Sequence, residues 1–61
     1  MEINMSNAVG IAEGYIDASN EDEYYEAWQF LLDTGLVWQL QGWFGRTAMA
    51  MIDEGLIWVK Q

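Results

Sequence analysis

Apolar and polar positions follow one another along the chain with a helical period, and glycines separate the segments. Residues 7–18 place their apolar side chains on one face of a predicted helix, with Ser6 or Asn7 as its capping residue. That face consists of Ala8, Val9, Ile11, Ala12, Tyr15 and Ile16. Gly10 and Gly14 lie opposite and are interpreted as a tolerant, exposed face, with close approach of another backbone as the alternative.

The strongest helical pattern covers residues 20–34. Ser19 or Asn20 can cap its start, acidic residues fill its first turn, and Gly35 suits the left-handed position after its end. Its apolar stripe consists of Tyr24, Tyr25, Ala27, Trp28, Leu31 and Leu32. Phe30 falls outside this stripe and is therefore predicted to be an exposed ring.

The rest of the chain divides into a short ambiguous segment, a further helix and an apolar tail. Residues 36–42 suit a strand or a helix by periodicity, and their place between two helices favours a short helix. Residues 43–54 are predicted to form the last helix, which Gly55 ends, and residues 56–59 to form an extended tail packed across the core. The pattern thus predicts one all-α domain over residues 1–61, a small bundle of three to four short helices with a short apolar C-terminal tail.

Composition limits both the stability of this bundle and its chemistry. The 61 residues include four Trp, three Tyr and two Phe, but no Cys and no His. So many rings cannot all be covered by so small a core, and aromatic side chains left at a surface are typical of interfaces, so we expect a homo-oligomer. Without Cys and His the chain lacks disulfides, the commonest metal ligand and the commonest general base. We therefore predict no catalytic residue, no metal site, no cofactor and no enzymatic activity.

Charge bears on the choice of partner. The chain has ten acidic and two basic residues, and its formal net charge is −8. Phosphate backbones and anionic membranes repel such a protein, so we expect neither direct nucleic-acid binding nor membrane association, but a protein partner with a basic surface. The second predicted helix carries an acidic stripe, which consists of Asp22, Glu26 and Asp33, helped by Glu23. The stripe is interpreted as a solvated face, with imitation of nucleic-acid phosphates as the alternative.

The C-terminal half carries an ordered motif. It contains Thr-Gly, a Trp three residues after that Gly, Leu-Gln-Gly, an aromatic residue before Gly-Arg-Thr-Ala, and a final Gly-Leu-Ile. These positions are Thr34, Gly35, Trp38, Leu40, Gln41, Gly42, Phe44, Gly45, Arg46, Thr47, Ala48, Gly55, Leu56 and Ile57. The motif resembles a family of very small bacteriophage-encoded proteins of unknown function. The resemblance implies a viral gene product in the cytoplasm of a bacterial host, and it implies no activity, cofactor or catalytic residue.

The same motif also has a structural interpretation. The positions expected where the chain turns or packs closely are Gly35, Gly42, Gly45 and Gly55. Arg46 lies in the first turn of the last predicted helix, where the helix dipole disfavours a cation. Asp33 at the end of the preceding helix is the expected partner of Arg46, and contact with an anion of a binding partner is the alternative.

Together these patterns favour a protein–protein interaction module, a phage-type accessory protein that binds a host or phage protein and also self-associates. The alternative is a nucleic-acid-mimicking inhibitor of a host defence or DNA-handling protein. The residues predicted to contact a partner are Trp28, Phe30, Trp38, Trp43, Trp58, Asp22, Glu26 and Asp33.

Overall fold

The computed structural model describes residues 1–60, which form three α-helices around one core. Helix α1 covers Met5–Glu13, α2 covers Glu21–Thr34, and α3 covers Gly42–Asp53. A 3-10 turn at Leu36–Trp38 connects α2 to α3, and the ambiguous segment is therefore helical in part. No strand occurs in residues 1–60, so the predicted all-α bundle of short helices is confirmed.

Helix α1 begins and ends earlier than predicted because its caps lie elsewhere. The side chain of Asn4 accepts hydrogen bonds from the backbone N–H groups of Ser6 and Asn7. The side chain of Asn7 accepts in return from the N–H of Asn4 at 2.9 Å, which completes a capping box. Gly14 ends the helix with φ of 89°, a left-handed conformation that is costly for other residues. Tyr15 therefore lies beyond the helix and is 84% exposed, so its predicted place on the apolar face of the helix was wrong.

The segment after α1 folds back over Gly10. The carbonyl of Gly10 accepts from the N–H groups of Tyr15 and Ile16, at 2.9 and 3.1 Å. A Cβ atom on Gly10 would lie 2.6 Å from Cδ1 of Ile16, well inside van der Waals contact. Gly10 leaves space for the side chain of Ile16. Its role is therefore neither that of a tolerant, exposed position nor that of a close approach by another backbone.

Helix α2 begins and ends where the local sequence places it. The side chain of Asn20 accepts from the N–H of Glu23 at 2.8 Å, and Gly35 follows the helix with φ of 79°. The predicted exposure of Phe30 was wrong, because its ring packs partly buried against the core. Both α1 and the 3-10 turn contact α2.

The core is built around Trp28, which is fully buried. The centroid of its ring lies 5.9 Å from that of Phe44 and 6.2 Å from that of Trp43. The rings of Trp43 and Phe44 stack on each other, with their centroids 3.9 Å apart. The other buried apolar residues are Ala8, Ile11, Ala12, Ala27, Leu31, Leu32, Val37, Ala48, Met51 and Ile57. Trp28 cannot contact a partner in this position, so its predicted role at an interface was wrong.

The indole N–H of Trp28 has no hydrogen-bond acceptor among the described residues. A buried donor without an acceptor costs about 1–3 kcal/mol. Contacts of the ring must outweigh that cost, and aromatic pairs at these centroid distances add to the energy of apolar burial.

The C-terminal segment, residues 56–60, lies along α2. Ile57 is its one buried side chain, whereas Leu56, Trp58 and Val59 are all exposed. The side chain of Gln29 on α2 fixes the segment, because its oxygen accepts from the N–H of Trp58 at 3.1 Å and its nitrogen donates to the carbonyl of Trp58 at 2.7 Å. Of the tail that was predicted to pack across the core, only Ile57 is buried.

Candidate functional site

Two indole rings remain at the surface, and they lie on different parts of the fold. Trp38, on the 3-10 turn, is 53% exposed, and Trp58, in the C-terminal segment, is 59% exposed. Large rings at a surface contribute strongly to binding when a partner covers them. The surroundings of these two rings are therefore the candidate functional surfaces.

The first surface, here called the Trp38 patch, consists of Trp38, Gly45 and Met49. The ring of Trp38 lies over Gly45 of α3, where a Cβ atom would be 3.4 Å from two ring carbons. Met49 is one turn further along the same face of α3 and is 54% exposed. The indole of Trp38 is therefore in close contact with α3 at Gly45, one turn from a second exposed apolar side chain.

The second surface, here called the α2 groove, lies between α2 and the C-terminal segment. Its volume is about 250 Å³, and its lining is mainly apolar. The lining residues are Asp22, Tyr25, Glu26, Gln29, Leu56 and Trp58. The hydrogen bonds between Gln29 and the backbone of Trp58 hold the two sides of this groove together.

The acidic stripe of α2 is only partly available to a partner. Asp33 lies 3.1 Å from the ammonium group of Lys60 and also accepts from Gln29 at 2.8 Å. Glu23 is buried, so it cannot add charge to the surface of the stripe. Asp22 and Glu26 are exposed, and neither forms an ion pair within residues 1–60.

The predicted ion pair between Asp33 and Arg46 was wrong. The C-terminal segment runs along α2 and brings Lys60 to Asp33 instead. Arg46 is exposed, and its guanidinium folds back over Gly42, with Nη1 3.1 Å from the position a Cβ atom would take there. Within the described residues Arg46 has no carboxylate partner, so it leaves a positive charge on the same helix as the Trp38 patch.

Glu23 occupies a polar pocket at the start of α2. One carboxylate oxygen accepts from the backbone N–H of Ser19 at 2.7 Å, and the other lies 3.1 Å from the amino group of Met1. The Ser19 hydrogen bond, and after it the Met1 amino group, lower the pKa of Glu23 below its ordinary value, because both stabilise the charged form. This carboxylate therefore ties the N-terminal residue to the cap of α2.

We expect Glu23 to make stability depend on pH on the acid side. A carboxyl group whose pKa is lower in the folded state stabilises the fold above its unfolded pKa, and this contribution is lost as the pH falls through the folded value. Glu23→Gln should therefore melt below wild type at neutral pH, and the gap should narrow as the pH falls below the ordinary pKa of a glutamate, about 4.3. Thermal melts by circular dichroism from about pH 7 to about pH 3 measure this, with Glu26→Gln as the control at an exposed acid. A gap that stays constant across this range would contradict the assignment.

The structure brings together only some of the residues predicted to form a site. Asp22, Glu26 and Trp58 meet at the α2 groove, whereas Trp38 lies on the other surface. Trp43 is half-buried, and its ring stacks on Phe44, so it belongs to neither of the two surfaces. The prediction missed Tyr25, Gln29 and Leu56, because their role depends on where the C-terminal segment lies.

Two further features of the described residues concern metal and membrane binding. Residues 1–60 contain no group of three or more His, Cys, Asp or Glu side chains placed to hold a metal ion. None of the helices in this range is both long enough and apolar enough to cross a bilayer.

The sequence motif of the C-terminal half corresponds to this geometry. Gly35 and Gly55 adopt left-handed conformations, with φ of 79° and 76°, and Gly45 lies under the ring of Trp38. No curated protein and no solved structure matches the chain. The family model for a domain of unknown function, DUF7417, matches residues 9–60, and the chain therefore belongs to this family.

Proposed function

We propose that the chain is a protein-binding module, a small phage-type accessory protein that acts on a host or phage protein in a bacterial cytoplasm. One observation carries the protein-binding part of this proposal: two indole rings, Trp38 and Trp58, are each more than half exposed. The phage-type part rests only on the resemblance of the sequence motif. Tryptophan is enriched among the residues that dominate binding energy at protein interfaces. Leaving two such rings in water gives a folded monomer no gain from burial.

Self-association belongs to the same proposal, through the Trp38 patch. The exposed ring of Trp38 lies over Gly45 there, the exposed side chain of Met49 is one turn further along α3, and Arg46 lies on the same helix. Two copies that each carry a net charge of −8 repel one another, and salt screens this repulsion. Self-association should therefore strengthen as the salt concentration rises, up to the limit set by the apolar contact.

Imitation of nucleic-acid phosphates is the competing function, and the structure favours it less. Of the four acids assigned to the stripe, Asp33 is paired with Lys60 and Glu23 is buried. The remaining two, Asp22 and Glu26, are four residues apart, or roughly 6 Å along the axis. Duplex DNA carries one charge for about every 1.7 Å of its axis. So short and sparse an acidic row imitates a duplex poorly.

The experiment is affinity capture from a bacterial lysate with the wild type and with Trp38→Ala and Trp58→Ala. Docking through a ring predicts a captured protein that remains bound at high salt and is lost with one of the two variants. Tyr15→Ala is the matched control, because Tyr15 is 84% exposed and lies outside both surfaces. Light scattering of the same variants measures self-association, which should weaken in Trp38→Ala.

Two outcomes would contradict the proposed function, and the experiment distinguishes them. A captured protein that high salt releases and duplex DNA displaces would establish mimicry instead, since interactions between exposed charges weaken with ionic strength. A chain that captures nothing and stays monomeric at high micromolar concentration would overturn the proposed function.

A further inference from the structure

The α2 groove combines an aromatic wall with a charged rim. Tyr25, Leu56 and Trp58 supply apolar surface, and Asp22 and Glu26 stand beside it on successive turns of α2. The groove is formed by two segments that are distant in sequence, and the hydrogen bonds of Gln29 to the backbone of Trp58 at 2.7 and 3.1 Å hold them together. The wall and the rim therefore keep a defined relative position.

The rim carboxylates differ from Glu23 and Asp33, the two acids of α2 that are paired with cations. Glu23 has the Met1 amino group at 3.1 Å and Asp33 has Lys60 at 3.1 Å. Asp22 and Glu26 have no cation among residues 1–60, and their i, i+4 spacing places two like charges next to each other. A cation that entered the groove between them would relieve this repulsion.

The shape and the lining of the groove limit what that cation can be. A volume of about 250 Å³ is below the range of small-molecule sites, roughly 300–1,000 Å³, and suits a single side chain. A bare divalent ion requires six or more oxygen ligands, whereas most of this lining is apolar. The occupant must therefore combine an apolar stem with a positively charged end.

We propose that the α2 groove binds an arginine side chain of the partner protein. Its stem and the guanidinium plane lie against Trp58, and its N–H groups donate to Asp22 and Glu26. A guanidinium stacks on aromatic faces and presents five donors in a planar fork, so it can serve two carboxylates and a ring at once, whereas an ammonium is a compact, strongly hydrated charge. This inference rests on the proposed protein-binding function and specifies the chemistry of the partner.

The experiment is an NMR titration with three short peptides that differ only at one central residue, which is arginine, citrulline or lysine, and that carry no other charge. Citrulline keeps the shape of arginine and removes its charge. We expect the arginine peptide to shift the indole N–H signal of Trp58 saturably, with an apparent Kd about tenfold lower than either other peptide gives. The indole signal of Trp38 is the internal control, and it should not move.

Two double variants of equal net charge separate this site from general attraction. Asp22→Asn with Glu26→Gln should raise the Kd of the arginine peptide about tenfold. Asp53→Asn with Glu54→Gln changes two exposed acids, one at the end of α3 and one directly after it, and should leave that Kd unchanged. Circular dichroism verifies that both variants remain folded.

Three results would overturn the inference: an equal loss in both double variants, an equal shift of Trp38, or binding of citrulline as tight as that of arginine. Tighter binding of the lysine peptide would also refute the choice of arginine. Each of these leaves the proposed function standing if lysate capture still depends on Trp38 or Trp58. If capture and self-association both fail while the arginine peptide binds as expected, the proposed function fails and the groove remains a guanidinium site.

Discussion

Replacing Trp28 with alanine should remove a large part of the free energy of unfolding, and more than any other single substitution in the core. Trp28 is completely buried and its ring contacts the rings of Trp43 and Phe44. Truncation of a buried tryptophan to alanine costs about 3–5 kcal/mol, through lost burial and the cavity that remains. Domains are stable by roughly 0.05–0.15 kcal/mol per residue, so a chain of 61 residues has only about 3–9 kcal/mol to lose.

Urea denaturation followed by circular dichroism measures this loss. Tyr15→Ala is the control, because a ring that is 84% exposed should change the free energy of unfolding by under about 0.5 kcal/mol. If Trp28→Ala behaved like Tyr15→Ala, Trp28 would not lie at the centre of the core, and the arrangement of the three helices around it would be wrong.

Ile57→Ala should have the second largest effect. Ile57 is 1% exposed, and it is the buried side chain that attaches the C-terminal segment to the helices. Truncation of a buried isoleucine to alanine costs about 2–5 kcal/mol. The loss should also release the hydrogen bonds between Gln29 and Trp58, because they hold a segment that Ile57 keeps in place.

Val59→Ala is the matched control for Ile57→Ala, since Val59 is two residues further on and 57% exposed. The urea midpoint should fall strongly in the first variant and hardly in the second. Hydrogen exchange at the amide of Trp58 should become faster in Ile57→Ala alone. Equal effects of the two substitutions would show that the segment is held by general apolar contact and not by one inserted side chain.

Local sequence was sufficient for α2. Asn20 before the helix, three acids in its first turn and Gly35 after it are all signals that act within a few residues. They place the ends of α2 within one residue of the prediction. The glycine-rich motif after α2 likewise indicates turns, because Gly35 and Gly55 adopt conformations with positive φ that other residues rarely take.

The end of α1 was missed for a reason that is also local. An apolar pattern that continued through Tyr15 and Ile16 favoured a longer helix, while Gly14 was interpreted as an interior position. A glycine inside a helical pattern and a glycine that ends one look the same when the pattern continues beyond it. Ile16 does pack, but by folding back over Gly10 and not by extending the helix.

The amino-acid sequence by itself determined the helical class, the ends of α2, the position of the third helix and the excess of aromatic and acidic side chains. Tertiary structure alone decided which rings are exposed, with Trp28 buried and Trp58 left at the surface. It also decided that Asp33 pairs with Lys60 and not with Arg46. The physical reason is the path of the C-terminal segment: Gln29 and Trp58 are 29 residues apart, and no local signal specifies that they meet. The ion pair of Asp33 and the α2 groove both follow from that one contact.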